Sequence, residues 1–253
     1  MGGTAEVLPQ HKGAAVIVET CEQGSPEWRA LHVGIPSAGS FHKIITPAGK
    51  PSASRDKYLA EKVAEYFYGD TLDPEIGGVG QQWMERGKEL EPDARAVYAF
   101  RHNVEVQQVG MILRDDRMVG CSPDGRIPTL KKGVEFKNYE LVHHVSAALK
   151  TDNAHYVQVQ GGLWLSGDET WDRVYHHPRF PATEFTFERD EEFIAKLAEA
   201  VDLFIADMLA ARAYLESQGW TPIRLTKCPA TGIDQRVCRC PDCVAKREST
   251  KGE

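Results

Sequence analysis

Asp124, Glu135 and Lys137 are the residues of this chain whose types and spacing could do chemistry together. Asp124 sits on a Ser-Pro-Asp-Gly turn, and after ten intervening residues comes Glu135-Phe136-Lys137. The stretch 133–137 is short and mainly apolar, and it follows Lys131-Lys132, as a buried strand should. Alternate side chains of a strand leave the same face, so Glu135 and Lys137 would project together toward whatever the turn presents. Two converging carboxylates suit a hard divalent cation that takes oxygen ligands. An ammonium beside them can hold or activate the water that attacks a phosphodiester. The bland alternative is a hairpin with a Pro-Asp-Gly turn and a charged, solvated strand. Two details oppose it. Glu135 and Lys137 are embedded in apolar sequence, where an unpaired charge is expensive, and Asp124 ends a second apolar run, Val119-Gly-Cys-Ser-Pro.

Several elements must position such a site. Residues 14–18 read as a short strand or arm, Pro26 as a helix start, and Ser37 as the cap of a helix running through Phe41-His-Lys-Ile-Ile. A Pro/Gly/Ser loop at 46–54 ends at Ser54, which would cap a helix to Gly69 with Tyr58, Leu59, Val63, Tyr66 and Phe67 at helical spacing. A longer helix is expected over 79–102, its stripe running through Trp83, Gly87, Leu90, Ala94, Val97 and Tyr98. Glu91 lies beside that stripe. It is either a helix-boundary residue, with Pro92 breaking or kinking the helix, or a further carboxylate delivered to the site. Residues 104–113, 118–122 and 133–137 read as a β-meander with a turn at 114–117. Helices at 139–150 and 154–166, strands at 170–177 and 184–188, and a helix at 190–216 complete the chain. The last helix would bury Phe193, Leu197, Val201, Phe204, Met208 and Leu209. This order predicts an α/β fold with a central mixed sheet flanked by helices. No glycine-rich dinucleotide or P-loop motif is present.

Composition sets bounds. At 253 residues, 42% apolar and 26% charged, the chain suits one large globular domain with an appendage. We divide it at 222: a catalytic domain over 1–222 and a cysteine-rich tail over 223–253. No apolar run is long enough to span a membrane, and the first twenty residues lack the pattern of a secretory leader. A cytoplasmic protein is expected. The net charge of −7 does not advertise nucleic-acid binding, so a DNA track would be local. Arg114, Arg117, Arg126, Lys131, Lys132 and Lys137 cluster near the site and are its candidates.

With these residues in view, the chain resembles phage lambda exonuclease and the YqaJ-like viral recombinases of the PD-(D/E)xK nuclease superfamily, over most of residues 26–210. Trp28-x-x-Leu-His-Val-Gly-Ile-Pro-Ser-Ala resembles the family's first motif, and Gly87-Lys-Glu-Leu-Glu-Pro-Asp-Ala-Arg95 resembles the segment that supplies a helical glutamate. Arg114-Asp-Asp, Cys121-Ser-Pro-Asp-Gly and Val134-Glu-Phe-Lys resemble the catalytic core, and Tyr156-Val-Gln-Val-Gln the motif that places a glutamine beside the lysine. The resemblance implies that Asp124, Glu135, the Phe136 carbonyl and Glu91 hold two Mg2+ or Mn2+ ions, with Asp115 a nearby acid. It makes Lys137 the residue that orients or deprotonates water and Gln158 the residue that fixes Lys137 and that water. Gln158 would otherwise pass for an ordinary polar helix position. The family pattern has Arg and Ser where this chain has His32 and Gly39, so a 5′-phosphate pocket would rest on His32, Ser37 and Ser40, with Arg126 on the DNA. The activity implied is 5′-to-3′ digestion of linear duplex DNA to 5′-mononucleotides, leaving a 3′ single-stranded tail. A homotrimeric ring, a single-strand annealing partner and a phage or prophage origin are implied with it.

Cys228, Cys238, Cys240 and Cys243 form C-x9-C-x-C-x2-C, outside the resemblance. They would suit a structural zinc only with unusual crowding; reduced thiols in a loosely packed tail are the simpler reading. Cys21 with the late cysteines also resembles, more faintly, iron–sulfur RecB-like exonucleases. Two rival functions stay open: a different PD-(D/E)xK nuclease such as an endonuclease, and a non-catalytic DNA- or zinc-binding module.

Overall fold

The computed structural model describes residues 16–72, 79–137, 141–149, 155–223 and 241–242, with backbone alone at 79–88 and 143. Strand β1 (Val16–Glu19) and helix α1 (Pro26–His32) precede a 3-10 turn at Ala38–Lys43, helix α2 (Arg55–Tyr68) and helix α3 (Val79–His102). Strands β2 (Met111–Arg114), β3 (Gly120–Cys121), β4 (Gly125–Ile127) and β5 (Lys132–Lys137) follow. Helices α4 (Leu141–Leu149) and α5 (Tyr156–Ser166), strands β6 (Thr170–His177) and β7 (Phe180–Glu188) and helix α6 (Glu191–Ser217) complete the chain.

The strands form two sheets, β1-β2-β3 and β4-β5-β6-β7. Among the named strands of the described residues, β5 and β6 are the parallel pair, in register from Lys132 opposite Thr170 to Lys137 opposite Tyr175. A parallel pair needs a long crossover, and α4 and α5 supply it. The result is the expected α/β architecture, a mixed sheet flanked by helices. Capping explains several boundaries. Ser25 accepts from Trp28 N at the start of α1 with Pro26 behind it, Asp190 accepts from Phe193 N at the start of α6, and Gly69 ends α2 at φ 77°.

Three expectations need correction. The helix foreseen after Ser37 is a 3-10 turn, at whose start Ser37 bridges Gly120 and makes no side-chain cap bond. The meander is split between the two sheets, because Pro123 has no N–H for a ladder and interrupts the run. Its first strand starts only at Met111; before that, Gln107 alone bridges the second sheet, at Arg126. In the helical stripes, Val97 and Leu209 are 42% and 46% exposed. Tyr98 and Met208, one residue and 100° further round, hold the inward positions. Helix α3 continues through Pro92. The side chain of Trp83, the packing at Gly87 and the tail cysteines Cys228, Cys238, Cys240 and Cys243 lie outside what is described.

The second sheet is packed on both faces. Ala94 and Tyr98 of α3 meet Ile127, Val134, Phe136 and Val174 on one side. On the other, Val159 and Leu163 of α5 meet Trp171 and Ile194. The larger core joins α2, α6, the 3-10 turn and the first sheet around Phe41, Tyr58, Ile112, Leu197 and Phe204. Two adjacent glycines let α5 sit close. A Cβ on Gly161 would lie 2.6 Å from Phe41 Cδ2, and one on Gly162 would lie 2.6 Å from Trp171 Cη2. Trp171 is pressed on its other side by Gly133, its register partner on β5. Past α6 the chain turns back on α2, where Ile223 N donates to Phe67 O at 2.7 Å and Trp220 stacks edge-on against Phe67.

Candidate active site

Strand β5 divides its side chains between the two faces of the sheet. Val134 and Phe136 enter the core under α3, so Gly133, Glu135 and Lys137 face α5. Lys137 Nζ donates to Glu135 Oε1 at 2.7 Å, and Gln158 Nε2 of α5 donates to the same oxygen at 2.8 Å. Glu135 is buried, as a carboxylate can be only with such donors. Asp124 meets this strand from the turn between β3 and β4, its Oδ2 accepting from Phe136 N at 2.7 Å.

The Ser-Pro-Asp turn is held at almost every acceptor. Trp28 Nε1 donates to Ser122 Oγ at 3.1 Å, Gln23 Nε2 donates to Pro123 O at 2.8 Å, and Arg95 Nη2 donates to Asp124 O at 3.1 Å. Arg95 also pairs with Glu91 one turn before it on α3. The two residues of the Gln-Val-Gln segment serve opposite walls, since positions two apart on a helix diverge by about 200°. Gln158 reaches Glu135, while Gln160 donates to Glu188 O and accepts from Asp190 N at the β7–α6 joint.

The electrostatics follow from this enclosure. Burial pushes the Asp124 carboxyl well above its ordinary range, and the charges of Glu135 and Glu91 push it further. Lys137 and the Phe136 N–H oppose them without prevailing. Two further carboxylates thus act on Asp124 through their charge, and carboxylate oxygens are by type the ligands of a hard divalent cation. Among the described residues, no three His, Cys, Asp or Glu side chains already stand in an ion-holding arrangement. The oxygens are presently engaged by Lys137, Gln158, Phe136 N and Arg95.

Other expected residues are placed differently. Asp115 is exposed in the β2–β3 turn, its Oδ1 accepting from Asp116 N. Arg126 is turned away into a two-pronged pair with buried Asp168, Nε to Oδ2 at 2.9 Å and Nη2 to Oδ1 at 2.8 Å, and it also bonds Ser166 O. The whole anticipated basic track is neutralised in this manner. Arg114 pairs with Asp116 and Asp202, Arg117 with Glu19, Lys131 with Glu169, Lys132 with Asp172 and Lys137 with Glu135. An unpaired carboxylate at Asp168 or Asp172 would be costly, so Arg126 and Lys132 are held by the sheet, whereas the pairs of Arg117 and Lys131 are solvent-exposed and weak.

His32 does adjoin the site. Its Nδ1 lies 2.8 Å from Trp28 O and its Nε2 3.5 Å from Ser122 Oγ, the hydroxyl next to Pro123-Asp124. Burial lowers its pKa, with the nearby Lys62 charge acting the same way, so the ring is neutral near pH 7. The carbonyl at Nδ1 assigns the proton there and leaves Nε2 as the acceptor. Gly39 of the 3-10 turn approaches Gln158, Nε2 lying 3.9 Å from where its Cβ would be, and the Ser40 backbone N–H donates to Ser37 O at 2.8 Å.

Four participants were missed in the sequence. Ser122 and Gln23 hold the turn, Arg95 holds Glu91 and the Asp124 carbonyl, and fully buried Arg173 stands beside Glu135 in the parallel register. Ser122 was legible from its adjacency to Asp124 and Arg95 from its i,i+4 relation to Glu91. Nothing local singles out Gln23 or Arg173.

The comparisons agree with this geometry. The model of the YqaJ-like viral recombinase domain matches residues 27–169, more than half of the chain. The crystal structure of an alkaline exonuclease from Laribacter hongkongensis is similar at 28% identity and TM-score 0.67, over 77% of this chain and 98% of that one. The same exonuclease in complex with dAMP gives 0.68 at the same identity and coverage. A phage-related exonuclease from Haemophilus somnus, at 18% identity and TM-score 0.55 over 70% and 96%, shares the fold. No curated protein matches. From its matched segment, and in keeping with its likeness to exonuclease structures, the chain belongs to the YqaJ-like viral recombinase family.

Proposed function

We propose that the protein is a metal-dependent exonuclease that digests linear duplex DNA 5′ to 3′, releases 5′-mononucleotides and leaves a 3′ single-stranded tail. Family membership and the exonuclease relative support a nuclease. The observation that carries the reading is Glu135, gripped by Lys137 and Gln158 while Asp124 is pinned to the adjacent peptide N–H. The pairing puts an acid, a second acid and an ammonium on one strand end, held by neighbours before any ligand arrives.

Asp124, Glu135, Glu91 and the Phe136 carbonyl would hold Mg2+ or Mn2+, two ions in the full reading. The metal when bound lowers the pKa of water and neutralises the scissile phosphate. Lys137 orients the attacking water and is freed for that role when Glu135 turns to other ligands. Gln158 keeps the Glu135–Lys137 pair from rotating off the strand face. Asp115 is left out of this set. The solved complex of the relative with dAMP supports a nucleoside monophosphate as a product class.

The 5′ end would be met by His32, with Ser37, Ser40 and the neighbouring Ser122 hydroxyl. A neutral His32 makes that grip weak near pH 7 and stronger in acid, so preference for a 5′-phosphate should rise as pH falls. A homotrimeric ring, a single-strand annealing partner and a cytoplasmic location accompany the reading. No helix of the described residues is long and apolar enough to cross a membrane.

Digestion of duplexes carrying a 5′-phosphate on one strand, beside covalently closed plasmid, tests the proposal. Mononucleotides from the linear duplex with intact circles are expected. Cutting of circles would favour an endonuclease, and no metal-dependent release at all would end the enzymatic reading. Gln158→Ala should keep its fold and lose turnover by about tenfold or more.

A further inference from the structure

We propose that Arg95 is the positioning residue of this site, an internal cation that sets Glu91 and the Asp124 carbonyl in place for the divalent ion. The inference rests on the nuclease reading above and adds a residue that reading does not use. Arg95 is largely buried, its side chain 13% exposed. Its guanidinium meets three separate segments. It pairs with the Glu91 carboxylate on its own helix, and Nη2 and Nε donate to Asp124 O on the turn at 3.1 and 3.3 Å. With the Gln108 amide oriented oxygen-inward, Nη2 and Nη1 donate to it at 3.0 and 2.9 Å, which ties in the segment before β2.

A planar fork of five donors can hold three acceptors at fixed angles, and a lysine ammonium cannot reproduce that geometry. Two of the three acceptors belong to groups already assigned to the ion: Glu91 directly, and Asp124 through its own peptide. Helix α3 carries Glu91 toward the site, and the turn carries Asp124 from the opposite direction. Arg95 is the described cation that contacts both, so the spacing between them is set through its guanidinium. Groups that orient metal ligands from behind commonly change metal affinity by ten- to a hundredfold when removed.

Calorimetric titration of Mn2+ into the purified, metal-free protein tests this, with Asp124→Asn as a control for the site. Arg95→Ala should bind Mn2+ roughly tenfold more weakly, and its activity should need correspondingly more metal while kcat at saturating metal changes less. Arg95→Lys should recover the charge but only part of the affinity. A merely structural arginine would lower thermal stability and leave Mn2+ affinity unchanged in the folded fraction. Unchanged or tighter Mn2+ binding by folded Arg95→Ala overturns the inference. Should that variant not fold, unchanged binding by Arg95→Lys overturns it equally. If the wild type and Asp124→Asn bind Mn2+ alike, the metal-site reading itself has failed, a result separable from failure of Arg95 alone.

Discussion

Replacing Asp124 by Asn should abolish nuclease activity and at the same time stabilise the metal-free protein. The carboxyl is enclosed, and the charges of Glu135 and Glu91 bear on it. Two like charges at a separation of ~4 Å would repel by roughly 4 kcal/mol at an effective dielectric near 20, an upper figure for such a pair. Lys137 offsets part of that, so removing the charge should leave a net gain of about 1–2 kcal/mol. The Asn carbonyl can still accept from Phe136 N, which keeps the bond that anchors the turn. For a chain of this size such a gain raises Tm by about 3–6 °C. The pH dependence follows from the direction of the shift. Because folding raises this pKa, its stabilising contribution is present below the ordinary carboxylate pKa and is lost as pH rises through the raised value. The advantage of Asp124→Asn should therefore be small in acid and grow toward neutral pH. Differential scanning fluorimetry in EDTA across pH, repeated with Mg2+, reads all of this. The wild type should gain Tm with Mg2+ and the variant should not. An Asp124→Asn protein less stable than wild type in EDTA near pH 8 would refute the account of a strained acidic centre.

Arg126→Ala should lose about 3–5 kcal/mol by stranding Asp168, and the salt slope of DNA binding should not move; a stable variant with a slope reduced by about one would return Arg126 to the DNA. Tyr98→Phe removes the 2.5 Å bond to buried Asp172 and should cost roughly 1.5–3 kcal/mol in chemical denaturation, because Lys132 and Thr186 still hold that carboxylate. Gly162→Ala gains about 1 kcal/mol of helix propensity against roughly 1–3 kcal/mol of overpacking on Trp171. Its stability should therefore fall by up to about 2 kcal/mol, and initial rates fall because α5 is pushed off β5 and Gln158 with it.

The acidic centre was legible because β5 is an ordinary strand: period two predicts that Glu135 and Lys137 share a face, and the structure agrees. The long helices were legible for a similar reason, since α2 and α6 carry helical stripes and Gly69 and Asp190 mark one end of each, although Ser54, expected to cap α2, lies itself in the helical region and makes no side-chain cap. What the sequence left illegible depended on partners far along the chain. Arg126 looks like any basic residue until Asp168, 42 positions later, folds against it. Asp115 looks like a ligand until the hairpin leaves it in solvent. Strand β4 is three residues long, too short for any period, yet it sets where Asp124 enters. Gln158 had no local signature and was named only through family resemblance; its contact depends on Gly161 and Gly162 bringing α5 near.

Because Gln160 anchors α5 to Glu188 and Asp190 while Gln158 touches the catalytic strand, this short helix cannot slip along its axis without breaking contacts at both ends of its width. The β7–α6 joint therefore acts at a distance as a stop for the strand that carries Glu135 and Lys137. Lesions at that joint, remote from any nucleotide, would surface as lost turnover in a protein whose thermal midpoint had scarcely moved.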